Sequence, residues 1–157
     1  MLSHGLVLEE RMAGDILGQL LNLLMHSKTH RRYPLYVIRA NIIDSINLGG
    51  NFVYVEDGSV VAFINWTFLS FKEIRSLGER GGVMSPELWR KSPADANLYI
   101  PELVAPFGHF RQIYQDMEKA FPYLDVAYAF SWKVSKPHSA PEPRVRRLKR
   151  AHAPIKN

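Results

Sequence analysis

The amino-acid sequence predicts a single three-layer domain of the α/β or α+β class, and three observations predict it. Apolar residues recur every four positions near the N-terminus, an Asp57-Gly58 pair divides two runs of β-branched and aromatic residues, and the rest of the chain alternates helix-like with strand-like segments. The 157 residues, 46% of them hydrophobic, supply one sizeable core and leave no room for a second domain.

Leu8, Met12, Ile16, Leu20 and Leu24, flanked by Leu17, Leu21 and Leu23, form the stripe of an amphipathic helix that ends near His26. Ser27 to Arg32 is polar and aperiodic. Pro34 then suits the first turn of a second helix carrying Leu35, Ile38, Ile42 and Ile46, which Gly49-Gly50 closes. Phe52 to Glu56 and Ser59 to Thr67 read as antiparallel strands, because Asp57-Gly58 accepts the positive φ angles of a tight hairpin. A short helix from about Ser70 to Leu77 precedes a loop over Gly78 to Pro93. Leu98 to Val104 reads as a strand, Ala105 to Gly108 as a turn, Phe110 to Phe121 as a helix with Ile113, Met117 and Ala120 on one face, and Val126 to Trp132 as a further strand. No internal repeat is present.

The formal charge of +5 is unevenly placed: residues 133–157 carry eight Lys or Arg against Glu142, hence +7, so residues 1–132 carry −2. A mildly acidic body argues against a nucleic-acid groove on the domain. The basic segment, which contains Pro137, Pro141, Pro143 and Pro154, is expected to be a disordered tail beginning at residue 133, able at most to make weak electrostatic contacts. The absence of cysteine excludes a thiolate nucleophile and disulfides. No apolar run reaches the ~20 residues of a membrane span, so a cytoplasmic protein is expected. Zinc-hydrolase, P-loop, dinucleotide and serine-hydrolase signatures are missing, and no metal site is expected. A strand, a turn with Gly108 and a helix follow one another; a helix start there directs N–H groups toward an oxygen ligand, whereas the plainer reading is that Gly108 permits a sharp turn.

Two segments carry a more specific signal: Ser27-Lys28-Thr29-His30-Arg31-Arg32-Tyr33-Pro34, and Glu102-Leu103-Val104-Ala105-Pro106-Phe107-Gly108. With the strand Asn65-Trp66-Thr67-Phe68-Leu69-Ser70 between them, they resemble the RTX toxin-activating lysine acyltransferases of the hemolysin-activating type, in order and spacing over roughly residues 8 to 132. The resemblance implies a fold similar to the GCN5-related N-acetyltransferases, with a mixed, mostly antiparallel central sheet and a V-shaped opening for a thioester. It implies acyl-acyl carrier protein as donor and co-substrate, no tightly bound cofactor, and a lysine of a toxin-like protein as acceptor. The family's catalytic histidine falls on His30 and its catalytic aspartate on Glu102, one methylene longer, preceded by Pro101 where an aliphatic residue is usual.

These residue types suit the reaction. A lysine amine, with a reference pKa of about 10.4, must lose a proton before it attacks a thioester, and a neutral histidine with a carboxylate on its other nitrogen can take it. Ser27, three residues before His30, either hydrogen-bonds the ring or caps a turn. Trp66 reads as core rather than as acyl-pocket lining. The pyrophosphate-holding Gln/Arg-x-x-Gly-x-Gly/Ala loop of acetyl-CoA enzymes is replaced by Pro106-Phe107-Gly108-His109-Phe110, which favours a carrier-protein donor. The alternatives are an acetyl-CoA-dependent N-acetyltransferase and a catalytically silent binding module of the same fold. The sequence leaves open the oligomeric state, a homodimer included.

Overall fold

The leucine stripe closes into α1 (Glu10–His26), which buries Leu20, Leu23 and Leu24. The structure is a computed structural model and describes residues 10–89, 97–123, 126–133 and 142–149. A 3₁₀ turn, His30–Arg32, leads into α2 (Leu35–Ile38) and α3 (Asp44–Leu48), joined by a π-turn over Arg39–Ile43. The sequence predicts one regular helix here. The π-turn instead adds a residue and rotates the downstream side chains by about 100°, so that Asn41 and Ile42 are both buried.

β1 (Gly50–Glu56) and β2 (Ser59–Leu69) form the expected hairpin, with left-handed φ of 49° at Asp57 and 76° at Gly58. α4 (Phe71–Glu79) begins at a reciprocal cap between Ser70 and Glu73. The stretch expected as loop contains α5 (Pro86–Trp89), held by tertiary contacts: Trp89 is buried and its Nε1 donates to the Ala40 carbonyl at 2.9 Å. β3 (Asn97–Ile100), β4 (Leu103–Val104), α6 (Phe110–Ala120), β5 (Val126–Lys133) and β6 (Glu142–Lys149) complete the described chain.

The sheet runs β1-β2-β3-β5-β6, with β4 beside β3 on the same edge of β2. Among the described strands only β3 and β5 pair in parallel; the other pairings are antiparallel. The sheet is therefore mixed and mostly antiparallel, as the resemblance implies. On one face Ala62, Ile64, Leu98 and Ile100 pack against Ile113 and Met117 of α6. On the other, Phe63 and Val104 meet Leu20, Leu23, Leu24 and Ile42, and farther along Leu69 and Tyr99 meet Ile74, Leu77 and Trp89. Helices thus cover both faces, in three layers.

One strand differs from its expected form in a way that matters for chemistry. Leu98 to Val104 is not continuous: Thr67 pairs with Tyr99 but Ile64 pairs with Leu103, so the β2 edge accommodates one extra residue at Pro101-Glu102. The side-chain directions agree with such a bulge. Leu98, Ile100 and Leu103 all pack on the α6 side, whereas Tyr99 and Val104 pack on the opposite side. Unbroken alternation would turn residue 102 toward α6; the extra residue turns it toward α1 and the 3₁₀ turn. Pro101 has no N–H to donate, so it fits a position where the ladder is interrupted.

A second difference concerns the C-terminal segment. Within the stretch expected to be a disordered tail, residues 142–149 form β6, paired with β5 from Val126–Lys149 to Lys133–Glu142. Arg146 and Arg147 are exposed, while Val145 packs among Leu77, Tyr99 and Phe130 and Leu148 packs toward α6. The charge count missed this because the apolar residues of β6 are few and widely spaced. The expected tail at 134–141 and 150–157 lies outside the described residues.

Candidate active site

The end of α1 and the 3₁₀ turn place Ser27 and His30 on one side of the site, and the β3–β4 bulge places Glu102 on the other. His30 N–H approaches Ser27 Oγ at 3.5 Å, and Ser27 Oγ lies 2.6 Å from His30 Nδ1. Across the fold, His30 Nε2 lies 3.1 Å from Glu102 Oε2. The tautomer that satisfies both ring contacts carries its proton on Nε2, donates it toward Glu102, and accepts the Ser27 hydroxyl at Nδ1. The Glu102 side chain is only 2% exposed and that of His30 11%, so the pair is screened from bulk water yet reachable at the imidazole.

Glu102 is also held by residues to which the sequence assigned no role. Tyr33 Oη donates to Oε2 at 3.1 Å and Asn41 Nδ2 donates to Oε1 at 2.7 Å. Tyr33 further leans against the imidazole, ring centroids 5.0 Å apart. The Glu102 backbone is fixed by Asn65, whose Oδ1 accepts the Glu102 N–H at 2.9 Å and whose N–H donates to the Glu102 carbonyl at 3.2 Å. Asn65 Nδ2 in turn donates to the Asn41 carbonyl and to Ser45 Oγ, at 2.6 and 2.9 Å. The legible signal was a polar residue at a core position: Asn41 beside Ile42 on the helix, and Asn65 between Ile64 and Trp66 in a central strand. Such residues are tolerated when fully hydrogen-bonded, as these are.

Tyr99 lies beneath the site, wholly buried, and its hydroxyl has no hydrogen-bond partner among the described residues. Burial, with the charge of Glu102 second, pushes its phenol well above the ordinary value of 10.0.

Ser27, His30 and Glu102 are thus brought together. Gly108 is not among them: its N–H bonds the Ala105 carbonyl at 3.2 Å, and its φ of +95° is the left-handed conformation the turn before α6 demands. His109 is engaged elsewhere, 3.1 Å from Glu56. Trp66 packs edge-on against Phe52 and Phe121 on the α6 face, as expected of a core residue. Among the described residues no group of three potential metal ligands gathers, and no helix is long and apolar enough to cross a membrane.

A carboxylate, an imidazole and a hydroxyl in line can move a proton between a nucleophile and a partly buried base. Comparison with known proteins adds to this geometry. Residues 9–149 match the model of the RTX toxin acyltransferase family, so the match includes β6. The chain is 35% identical over 107 residues to the lysine-acyltransferase RtxC of Vibrio cholerae, covering 67% of each protein. It is 31% identical over 110 residues to the leukotoxin-activating lysine-acyltransferase LtxC of Aggregatibacter actinomycetemcomitans, covering 69% of this chain and 63% of that one. With the RTX-II toxin-activating lysine-acyltransferase ApxIIC of Actinobacillus pleuropneumoniae the identity is 26% over 122 residues, 78% of this chain and 74% of the relative. The matched regions therefore span about two thirds of the first two relatives.

Proposed function

The chain belongs to the RTX toxin acyltransferase family, and from that premise we propose that it transfers a fatty acyl group from acyl-acyl carrier protein to the ε-amine of a lysine in a toxin-like protein, with His30 as base. The observation that carries this reading is the contact of His30 with Ser27, three residues before it, and with Glu102, 72 residues after it. In the proposed step the lysine nitrogen attacks the thioester carbonyl. Its proton passes to Ser27 Oγ as the Ser27 hydroxyl proton moves to His30 Nδ1, and the imidazolium is stabilised by Glu102 through Nε2. The tetrahedral intermediate then collapses, the C–S bond breaks and the carrier's thiolate leaves, taking the proton back from the His30 imidazolium, which regenerates the neutral base.

A carrier-protein donor is supported by the charge around the site. From Ile16 to Ile43 the sequence has no Asp or Glu but has Lys28, Arg31, Arg32 and Arg39, all exposed, beside exposed Leu35 and Tyr36. Such a surface suits a small acidic protein that presents an acyl chain. The 2.6 Å contact of Ser27 also favours a second course, in which Ser27 Oγ takes the acyl group first and then yields it to lysine. The test is incubation of the protein with an RTX protoxin polypeptide and either C16 acyl-acyl carrier protein or acetyl-CoA, followed by mass spectrometry. Acyl-lysine from the carrier-protein donor supports the proposal, and acetyl-lysine from acetyl-CoA alone overturns it. An acyl adduct on Ser27 in the absence of the polypeptide selects the two-step course.

A further inference from the structure

We propose that Asn41 is a positioning residue that holds the Glu102 carboxylate in the rotation that aims it at His30; this rests on the reading of His30 as base. Every polar atom of the Asn41 side chain is committed. Nδ2 donates to Glu102 Oε1 at 2.7 Å and to the Gly82 carbonyl at 3.0 Å, while Oδ1 accepts the Met84 N–H at 2.9 Å. The Met84 N–H and the Gly82 carbonyl leave the amide only one orientation, because a flipped amide would set oxygen against the Gly82 carbonyl and NH₂ against an N–H. The face shown to Glu102 is therefore a donor, which fixes Oε1 as its acceptor.

The backbone is built to hold this amide in place. The π-turn over Arg39–Ile43 turns residue 41 toward the sheet, and it leaves the carbonyls of Ala40 and Asn41 to be taken by Trp89 Nε1 and Asn65 Nδ2. Gly82 is itself held, its N–H donating to the Leu77 carbonyl at 2.8 Å, and a Cβ there would meet the Phe130 ring at 2.7 Å. Besides Asn41, the groups facing Glu102 are His30, Tyr33 and Tyr99, from the 3₁₀ turn, the segment after it and β3. Among the described residues Asn41 alone engages Oε1, so it sets the rotation of the carboxylate, while Tyr33 and His30 share Oε2.

The experiment compares Asn41→Ala and Asn41→Asp with wild type, using C16 acyl-acyl carrier protein and an RTX protoxin polypeptide, with kcat and KM measured from pH 5.5 to 9 and folding checked by thermal melting. Asn41→Ala is expected to lower kcat about 10- to 100-fold with KM for the donor within about twofold, part of what the whole acid–base pair supplies. Asn41→Asp keeps the Met84 contact and, while the introduced carboxyl shares a proton with Glu102, still donates to Oε1. Its kcat relative to wild type is expected to be highest at acid pH and to fall as pH rises and the shared proton leaves. A role limited to folding predicts no such pH-dependent rescue. A folded Asn41→Ala enzyme with kcat within about threefold of wild type overturns the proposal. So does an Asn41→Asp profile parallel to wild type, which decides alone if the alanine variant does not fold. His30→Ala, run alongside, separates the two failures: an active His30→Ala enzyme removes the base, whereas an inactive one with unaffected Asn41 variants removes only the positioning role.

Discussion

Glu102 shows how much one methylene can decide. Its carboxylate meets His30, Tyr33 and Asn41 at 3.1, 3.1 and 2.7 Å, and the backbone behind it is pinned by Asn65. An aspartate there would retreat by about one C–C bond from all three at once. Glu102→Asp is therefore expected to lose kcat nearly as fully as Glu102→Gln, each by about 10²- to 10⁴-fold; recovery of wild-type turnover in Glu102→Asp would show that the surrounding frame is plastic. His30, Glu102 and Ser27 were legible because they stand in short motifs whose neighbours are distinctive. Asn41 was not, because an asparagine between isoleucines on a helix is uninformative until the strand it faces is known. Tyr33 was visible only as an aromatic residue before Pro34.

The hairpin and the principal helices were readable as elements, since periodicities of two and about four residues survive in a single sequence. The bulge at Pro101-Glu102 was not readable, because a register shift is a property of two strands and only one is seen at a time. Its importance can be tested by deleting Leu103, after which strict alternation from Ile100 to Val104 places Glu102 on the Ile100 side. That deletion is expected to restore alternation, turn Glu102 toward α6 and abolish transfer, while circular dichroism still reports the mixed sheet. Retained activity would mean that the bulge does not aim the carboxylate. Gly108 provides the opposite case. Gly108→Ala forces a side chain into a left-handed turn with open space around it, so it is expected to cost about 1 kcal/mol of stability with kcat unchanged. A large loss of kcat with Tm unchanged would return Gly108 to the chemistry.

Across the whole molecule, the sheet extends farther than composition indicated. The basic C-terminal stretch supplies β6, and Val145 and Leu148 join the packing on opposite faces. Truncation after Lys133 is thus expected to lower Tm by uncovering the β5 edge, whereas Arg146→Glu/Arg147→Glu, both on exposed positions, leaves Tm near wild type and tests donor attraction through salt-dependent KM alone. Equal Tm for the truncated and full chains would contradict the strand assignment. Burial gives the fold an alkaline limit as well. Tyr54 and Tyr99 are held with phenol pKa raised above 10.0, by burial first and by Asp116 and Glu102 second. Their neutral forms contribute fully below about pH 10, and that contribution is lost as pH climbs above the unfolded value. Tyr99→Phe, which removes a hydroxyl without a described partner, is expected to move alkaline unfolding to higher pH; an unchanged midpoint would show that Tyr99 does not set this limit.

Everything proposed for the chemistry turns on His30, held by Glu102 and facing Ser27, as the base for acyl transfer. The direct measurement is the single-turnover rate of C16 transfer from acyl-acyl carrier protein to an RTX protoxin polypeptide, for wild type and for His30→Ala shown by thermal melting to be folded. Acyl-lysine formation by wild type and a loss of at least about 10²-fold in the variant are expected. A folded His30→Ala protein that transfers the acyl group at a rate close to wild type would contradict that role.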